Sequence, residues 1–515
     1  MKLILYTLFV LSTVILTTRA QPMTPPTPPS LNDWKQQLEE WIPRQYKRSV
    51  QGIFDNINRP GTAKGCIVAA DSKKQPDYYY NWIRDAAITM QVVVTMYERA
   101  TDPKEIDRLE TIIKEYIAFN HKLQHTPNYN GNFYTDGLGA AHFLVNGDAY
   151  PGAWCIENDG PALRALAIIK FTYAYLAKGG NISYIRDHVF GPTNNTLTRA
   201  DLDYIARVWP NENCGPWEEL YGIHFFDQYL QRTALLRGVK LAEKLGYNNI
   251  AKHYQRAAEN ITQVLPSYIA KDFGIVWESV NTTHDTNHET FLDTSTILAI
   301  LHGYNHDDVF APTNEYVIGT ANMLRLVFQD IYPVNMRKEE DEGTLFGRFP
   351  DDIYDGYTSN VPGNPWILCT LGMAQYYYEL AAEWLKHEKI VIGKWSKDFF
   401  RHLRVMPPPP PPPQSSISTT ITGKAICSYV SALLEEGDRV LNAIRKHTVP
   451  SGMFTEEIDR YTGFEQGAIN LTWSYDAFVT AVWSREDVHK LFSKYCEPPS
   501  PPLPSMPGPG GLSSP

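Results

Sequence analysis

Helical periodicity runs through almost the whole chain and constrains its fold more than any other sequence feature. Apolar residues recur at three- and four-residue spacing in twelve stretches, the pattern of helices that bury one face or more. The predicted helices are Trp34–Ile57, Trp82–Ala100, Pro103–His125, Pro161–Leu176, Arg199–Val208, Gly222–Leu245, Asn248–Tyr268, Leu292–Gly303, Asn314–Tyr332, Pro365–Lys386, Lys424–His447 and Leu471–Lys490. Twelve helices make six hairpins, and Lys394–Arg404 is a thirteenth candidate. The chain is therefore predicted to be all-α.

The loops between these helices fall into two kinds. Those ahead of the second, fourth, sixth, tenth and twelfth predicted helices are long and rich in acidic residues, arginine and tryptophan. Most loops ahead of the odd-numbered helices are shorter and plainer. If alternate helices form an inner ring, their N-terminal ends gather at one mouth, and the chemistry-bearing loops line one pocket. The pattern predicts a double ring of six inner and six outer helices that needs no β-sheet; irregular helical packing is the alternative.

The ends of the chain and one internal segment differ from the helical part. Residues 1–20 have the features of a secretory signal peptide, with Lys2 ahead of an apolar run and small residues at a cleavage site. Residues 21–31 are a proline-rich leader, an insertion at about 405–422 contains seven consecutive prolines, and 497–515 are proline-rich. Polyproline runs cannot join a helix. We expect one helical domain over 32–496, with a surface insertion and a disordered tail.

Cysteine usage and charge limit the location and the partners of the chain. Six cysteines form an even set without a C-x-x-C spacing, which suits disulfides in an oxidising compartment and argues against a zinc cluster. Five glycosylation sequons begin at Asn181, Asn194, Asn260, Asn281 and Asn470. The net charge of -10 argues against a nucleic-acid partner, and no later stretch is apolar for long enough to span a membrane. We predict a secreted, extracellular glycoprotein with a neutral substrate.

Two acidic loops hold the candidate catalytic groups. Glu218 stands between a tryptophan and Glu219, and Glu456 lies ahead of the last predicted helix. Hydrolysis of a glycosidic bond needs a proton donor and a carboxylate that acts as base or nucleophile. An adjacent carboxylate and a nearby indole both favour a protonated carboxyl, and Arg84 beside Asp85 can clamp sugar hydroxyls. Taken alone, each signal is better explained by an ordinary helix-end charge, a salt bridge or a solvated loop.

Taken together, these loops resemble the motifs of glycoside hydrolase family 15, and within it the fungal glucoamylases. The resemblance extends from about Asn32 to Cys496 and rests on five segments in the family's order. The segments are Asp77 to Asp85, Asn158 to Ala165, Trp217 to Leu220, Gly347 to Asp352 with Gly363 to Trp366, and Thr455-Glu456 with Leu471 to Tyr475. Five such matches in order are specific to the family.

The resemblance implies an (α/α)6 barrel and an inverting hydrolase that releases β-D-glucose from the non-reducing ends of α-1,4 and, more slowly, α-1,6 glucans. It assigns Glu218 as the general acid and Glu456 as the general base. The residues that it places in the terminal sugar subsites are Tyr78, Trp82, Arg84, Asp85, Trp154, Glu219, Arg348 and Trp366. It implies no cofactor and no metal, starch, maltodextrins and other α-glucans as partners, and a monomer without nucleic-acid or membrane partners.

The sequence departs from the family pattern in two places. Cys155-Ile156-Glu157 follow Trp154 where the family usually has arginine, proline and glutamine, which leaves the second sugar subsite and the chain-length preference open. Many family members carry a starch-binding module, but the leader here is too short for one and the tail is only proline-rich. Two alternatives therefore remain. One is a related exo-glucosidase acting on trehalose or α-1,6 glucan, and the other is a secreted glycan-binding protein that has lost catalysis.

Overall fold

The structure, a computed structural model, describes residues 33–282, 288, 290–405 and 418–497. Twelve helices of nine or more residues follow one another within this part of the chain. They are α1 (Asp33–Asn56), α2 (Ile83–Arg99), α3 (Pro103–Gln124), α4 (Asp159–Ala177), α5 (Leu197–Val208), α6 (Phe225–Leu245), α7 (Asn248–Val264), α8 (Ser295–Gly303), α9 (Glu315–Ile331), α10 (Ile367–His387), α11 (Ile426–His447) and α12 (Thr472–Cys496). Each overlaps one predicted stretch, so the predicted series of helices is confirmed.

Alternate helices close into an inner ring. α2 packs against α4, the contacts continue through α6, α8 and α10 to α12, and α12 returns to α2. The odd-numbered helices lie outside this ring and pack against its members. The molecule is therefore an (α/α)6 barrel, as the alternation of loops predicts, and not an irregular helical assembly.

Burial follows the position of each helix in the double ring. The inner helix α10 buries residues on every side, including Leu368, Leu371 and Tyr376, because it has neighbours all round. The outer helix α7 buries only a stripe of residues at helical spacing, which include Tyr254 and Ile261. Although several helices are largely apolar, none that the structure describes is long and apolar enough to cross a membrane.

Strands in the described part of the chain form five antiparallel pairs within the loops. The strands are β1 (Asn81–Trp82), β2 (His142–Phe143), β3 (Ile223–His224), β4 (Ile269–Ala270), β5 (Ile275–Val276), β6 (Ser279–Val280), β7 (Lys389–Ile392), β8 (Thr419–Thr422), β9 (Glu457–Ile458) and β10 (Glu465–Gln466). β1 pairs with β2 and runs directly into α2, whereas β3 pairs with β6 and runs directly into α6. The pairs fix where two inner helices begin.

Several predicted segments fall partly or wholly outside the described residues. The signal peptide (1–20), the leader (21–31), most of the proline insertion and the tail from 498 onward are among them. The thirteenth candidate helix is a six-residue helix, Lys397–His402, which contacts α9 and leaves the double ring intact. The end of the proline insertion forms β8, which pairs with β7.

Two disulfides cross-link loops and helix ends. Cys155 is bonded to Cys214 and Cys427 to Cys496, whereas Cys66 and Cys369 are buried free thiols. Four of the six cysteines are thus paired, in a connectivity that the sequence leaves open.

The side-chain amide of the Asn470 sequon is held by hydrogen bonds within the folded chain. Arg48 Nη2 donates to Asn470 Oδ1 at 3.0 Å, and the Tyr475 hydroxyl donates to the same oxygen at 2.7 Å. Asn470 Nδ2 in turn donates to Asp71 Oδ2 at 3.2 Å. Both ends of the amide are therefore bonded inside the protein.

The close packing of α10 against α11 can be tested by substitution at Gly437. A Cβ atom at this position would lie 2.7 Å from Cε1 of buried Tyr378, whose hydroxyl is anchored to Asp438 Oδ1 at 2.7 Å. We expect Gly437→Ala to lower the free energy of unfolding by about 1–3 kcal/mol through overpacking, measured by urea unfolding. Ser428→Ala, on the exposed face of α11, is the control and should change stability by less than about 0.5 kcal/mol. Equal stability of both variants would contradict the close packing.

Candidate active site

The N-terminal ends of the inner helices surround a cavity of about 300 Å³. All of the site residues predicted from the sequence line it, namely Tyr78, Trp82, Arg84, Asp85, Trp154, Glu218, Glu219, Arg348, Trp366 and Glu456. Trp217, Tyr354 and Trp473 also contribute to its wall. Closure of the inner ring therefore brings together residues that are far apart in the chain.

The loops hold these residues directly ahead of the inner helices. Trp82 is the N-cap residue of α2, Trp366 is the N-cap residue of α10, and Glu218 lies shortly before β3 and α6. The N-terminus of a helix carries a partial positive charge, which favours nearby carboxylates. Glu218 has a φ of 65°, in the left-handed region that non-glycine residues seldom adopt, as is common at functional sites.

Three donors hold the Glu218 carboxylate. Trp82 Nε1 donates to Oε1 at 2.8 Å, and Arg84 Nη2 donates to the same oxygen at 3.0 Å. Trp154 Nε1 donates to Oε2 at 2.7 Å. The side chain of Glu218 keeps an exposed fraction of 16% and faces the cavity. The carboxyl group is thus fixed in orientation while it stays accessible to a ligand.

Arg84 is the buried cation around which these acidic groups gather. Its Nη1 lies 2.6 Å from Glu157 Oε2 and 3.2 Å from Asp159 Oδ2, and its Nε lies 3.6 Å from Asp85 Oδ2. Burial raises the pKa of Asp85 to about 6, although Arg84 acts in the opposite direction. Burial likewise raises the pKa of Glu157 well above its ordinary value, and the Glu218 charge adds to this effect. Buried charges need such pairing to be tolerated.

Glu219 is turned toward a second buried arginine. Arg348 Nη2 lies 2.8 Å from Glu219 Oε1 and 2.7 Å from Asp352 Oδ1. Burial acts to raise the pKa of Glu219, but Arg348 and His288 outweigh burial and hold it below the ordinary value. The neighbouring carboxylates of Glu218 and Glu219 are therefore divided between two arginines.

Glu456 is more deeply buried than Glu218, with an exposed fraction of 1%. Its Oε2 accepts from the backbone N–H of Ala468 at 3.3 Å and from the Tyr354 hydroxyl at 3.5 Å, and Tyr78 also donates to it. Burial raises the pKa of Glu456, while these donors and Arg348 oppose the rise. The adjacent Glu457 is bonded to Asn364 Nδ2 at 2.8 Å. Glu456 is the member of this pair that lines the cavity.

Glu278, His288 and Asp293 form a buried cluster behind Glu219, close enough together to hold a metal ion. His288 Nδ1 lies 2.5 Å from Glu278 Oε1, and its Nε2 lies 3.7 Å from Glu219 Oε2. Burial alone would lower the pKa of His288, but Glu278 raises it to about 10, so the imidazole is a cation. Asp293 accepts from Trp217 Nε1 at 3.0 Å. The ion pair and these hydrogen bonds explain the cluster without a metal.

The segment that departs from the family pattern is tied to the Glu218 loop. The Cys155–Cys214 disulfide joins the residue after Trp154 to a residue shortly ahead of Glu218. The backbone N–H of Cys214 also donates to the Ile156 carbonyl at 3.0 Å. The altered segment therefore fixes the loop that supplies the Trp154 indole.

Several residues of the site were not predicted from the sequence. Glu157 stands in the segment where the sequence departs from the family pattern, so the motifs that the resemblance supplies do not point to it. Trp473 lies inside one of the five segments that resemble the family motifs. Its aromatic side chain is the signal that could have identified it from the sequence. Tyr354 and His288 belong to loops with no motif of their own, and only the folded chain places them near Glu456 and Glu219.

Comparison with known proteins agrees with this geometry. Residues 47–483 match the family model described as Glycosyl hydrolases family 15. The chain belongs to this family. The predicted resemblance is thereby confirmed, and the family 15 match covers most of the described barrel.

Individual family 15 members are similar over most of their length. A glucoamylase of Blastobotrys adeninivorans is 30% identical over 479 residues, which cover 89% of this chain and 74% of that protein. Glucoamylase 1 of Rhizopus oryzae is 32% identical over 471 residues, which cover 91% and 73%. The solved glucoamylase of Saccharomycopsis fibuligera superposes with a TM-score of 0.79 at 29% identity, over 88% of this chain and 96% of that one.

Arg84 should be essential for stability as well as for the shape of the family 15 site. Arg84→Ala leaves several buried carboxylates without their cation, and we expect a loss of about 3–5 kcal/mol in the free energy of unfolding. Arg108→Ala removes an exposed arginine paired with Glu105 and should cost at most about 1 kcal/mol. Urea unfolding of both variants measures the difference. Similar losses in the two variants would contradict the role of the buried network.

Proposed function

We propose that the chain is a secreted, exo-acting glucoamylase. It releases β-D-glucose from the non-reducing ends of α-1,4 glucans, and more slowly from α-1,6 linkages, with inversion at the anomeric carbon. The relatives named above as glucoamylases support the substrate class. The proposal rests mainly on one observation. Glu218 and Glu456 line the same cavity, and each is hydrogen-bonded to a different set of side chains.

Glu218 is proposed as the general acid. It protonates the glycosidic oxygen as the bond to the departing sugar breaks, and becomes a carboxylate as it does so. Arg84 and the indoles of Trp82 and Trp154 donate to that carboxylate. Because these donors stabilise the ionised product of the transfer, they favour the step at the moment when negative charge develops.

Glu456 is proposed as the general base. It takes a proton from a water molecule that attacks the anomeric carbon from the other face of the sugar. Burial raises the pKa of Glu456, which makes it a stronger base than an exposed carboxylate. Inversion needs room for that water, so we expect the carboxyl groups of Glu218 and Glu456 to stand about 6.5–9.5 Å apart when substrate is bound.

The remaining residues of the cavity are proposed to bind the terminal sugar. Arg84, Asp85, Glu219 and Arg348 offer charge-assisted hydrogen bonds to hydroxyl groups. Tyr78, Trp82, Trp154 and Trp366 offer aromatic faces for the C–H surfaces of the ring. A cavity of about 300 Å³ suits the end of a glucan chain and supports attack at chain ends. Acid–base chemistry of two carboxyls needs neither a metal nor a cofactor.

We also propose that the protein is secreted and acts as a monomer. Two disulfides support an oxidising compartment, since such bonds persist outside the cytosol. Every residue assigned above comes from one chain, so a single subunit can form the site. Starch, maltodextrins and other α-glucans are the proposed partners.

Substitution of the two carboxyls tests their assignment. We expect Glu218→Gln and Glu456→Gln each to lower kcat on maltoheptaose by about 10²–10⁴-fold, because each removes a proton-transfer group while preserving shape. Glu457→Gln is the matched control, a buried neighbour of Glu456 outside the cavity wall, and should lose far less. Circular dichroism checks that all three fold. Near-normal turnover in either of the first two variants would contradict the assignment.

A substrate panel separates the proposed function from its alternatives. We expect glucose from maltose and faster release from maltoheptaose, with slow release from isomaltose and none from trehalose. Preference for trehalose or isomaltose would favour a related exo-glucosidase with another linkage preference. No hydrolysis of any member, together with measurable binding, would favour a glycan-binding protein.

The pH dependence should report the surroundings of Glu456. The base must be deprotonated, so kcat/KM falls as the pH drops through its pKa. Tyr78→Phe removes a donor to the carboxylate, and we expect the acid limb of kcat/KM to move up by about 0.5–1 pH unit. Tyr357→Phe, an exposed tyrosine of a nearby loop, should leave the limb in place. A downward shift or no shift in Tyr78→Phe would contradict the assignment of this limb to Glu456.

A further inference from the structure

A second cavity lies inside the inner ring, at the end opposite the catalytic loops. Its volume is about 520 Å³, within the range of about 300–1,000 Å³ that small-molecule sites occupy. Residues from all six inner helices line it, mostly from their C-terminal halves. None of the roles assigned to the catalytic cavity uses it.

Trp473 is the only residue that lines both cavities among those the structure describes. Its ring packs 6.2 Å from that of Trp217, and the Arg84 guanidinium lies 5.7 Å from its centroid. The indole therefore separates the inner cavity from the catalytic one. A ligand in the inner cavity would contact the base of the active site without entering it.

Polar side chains form a connected group on one wall of the inner cavity. Gln375 Nε2 donates to Glu379 Oε1 at 2.7 Å, and Ser484 Oγ donates to the same oxygen at 3.3 Å. Thr480 Oγ1 donates to Gln375 Oε1 at 2.7 Å. Burial raises the pKa of Glu379 to about 7, so near neutral pH the group is present both as a carboxylate, which accepts hydrogen bonds, and as a carboxylic acid, which can also donate one. Such a group suits hydroxyls, which also do both.

Asp476 adds an acceptor deeper in the same cavity. Thr89 Oγ1 donates to its Oδ2 at 2.6 Å, while its Oδ1 has no hydrogen-bond partner among the described residues. The side chain is 1% exposed. A buried oxygen without a partner is costly, and a ligand hydroxyl or a water molecule would satisfy it.

The aromatic and charged residues that line the cavity indicate the shape and charge of its ligand. Trp473 and Trp483 both line the cavity, about 15 Å apart along α12 at 1.5 Å per residue. Three of the four lysine and arginine residues that line the cavity are paired with a carboxylate, whereas Arg237 donates to the Tyr304 carbonyl at 3.2 Å and has no ion pair among the described residues. Arg99 lies 3.1 Å from Asp487, and Lys386 lies 2.7 Å from Glu383. Because most of these charges are neutralised locally, the lining suits a neutral ligand better than an ion.

We propose that the inner cavity is a second sugar site, which binds a neutral monosaccharide between Trp473 and the Gln375–Glu379–Ser484 wall. The Trp473 indole packs on the C–H face of the ring, and the carboxyl and amide groups bind its hydroxyls. The proposal rests on the lining of this cavity and does not depend on the catalytic roles of Glu218 and Glu456.

Equilibrium dialysis of the full chain with radiolabelled D-glucose tests the second site. We expect two bound glucose molecules per chain, one in each cavity. Glu379→Gln should weaken one of them by at least about tenfold, and Ser484→Trp should abolish the same one by filling the cavity beside Glu379. Both variants should keep the kcat/KM of the parent on maltoheptaose. Glu219→Ala should remove the other bound glucose and leave the Glu379-dependent one.

The outcomes separate this proposal from the catalytic one. A single bound glucose that Glu219→Ala removes, or a second one unaffected by Glu379→Gln and Ser484→Trp, would overturn the second site. If Ser484→Trp does not fold, the isosteric Glu379→Gln decides the question. Failure of the catalytic proposal would instead appear as absent hydrolysis while Glu379-dependent binding persists.

Discussion

The active site depends on one buried guanidinium. Arg84 contacts Glu157, Asp159, Asp85 and Glu218, so a single cation joins the start of α2, the start of α4 and the loop ahead of α6. Without this cation, the free-energy cost of burying these acids would be prohibitive. Each carboxylate would lose its hydration and gain no ion pair in exchange. Arg348 does the same for Glu219 and Asp352 on the other side. The two arginines therefore make it possible to bury many acidic residues at one end of a mainly apolar barrel.

The double ring is what makes this concentration of charge possible. Alternate helices point their N-terminal ends to one side, where the partial positive charge of each helix adds to that of the arginines. Loops ahead of inner helices can thus carry acids that would be unfavourable at the opposite end. At that opposite end the structure has a different cavity, whose charges are mostly paired locally, and Trp473 lies between the two cavities.

The sequence predicts the barrel from helical periodicity, and it predicts most of the site through the resemblance of five loop segments to the motifs of family 15. Helical periodicity locates every inner and outer helix, and the loop alternation tells which helices are inner. The contacts that depend on three-dimensional closure are not predictable in this way. Glu157 is an example, since only the meeting of two loops turns an ordinary acidic residue into the partner of Arg84. Tyr354, His288 and the Cys155–Cys214 disulfide are others, because neither periodicity nor spacing specifies which loops touch.

The central functional claim is that Glu218 and Glu456 act from opposite faces of the sugar, one as acid and one as base. The anomeric form of the first glucose released from maltoheptaose tests it most directly, because the form records the face that water attacks. Proton NMR during the first minutes, before mutarotation, distinguishes the two anomers. The proposed geometry requires β-D-glucose. Release of α-D-glucose would show retention and would contradict the assignment of Glu456 as the base for an inverting reaction.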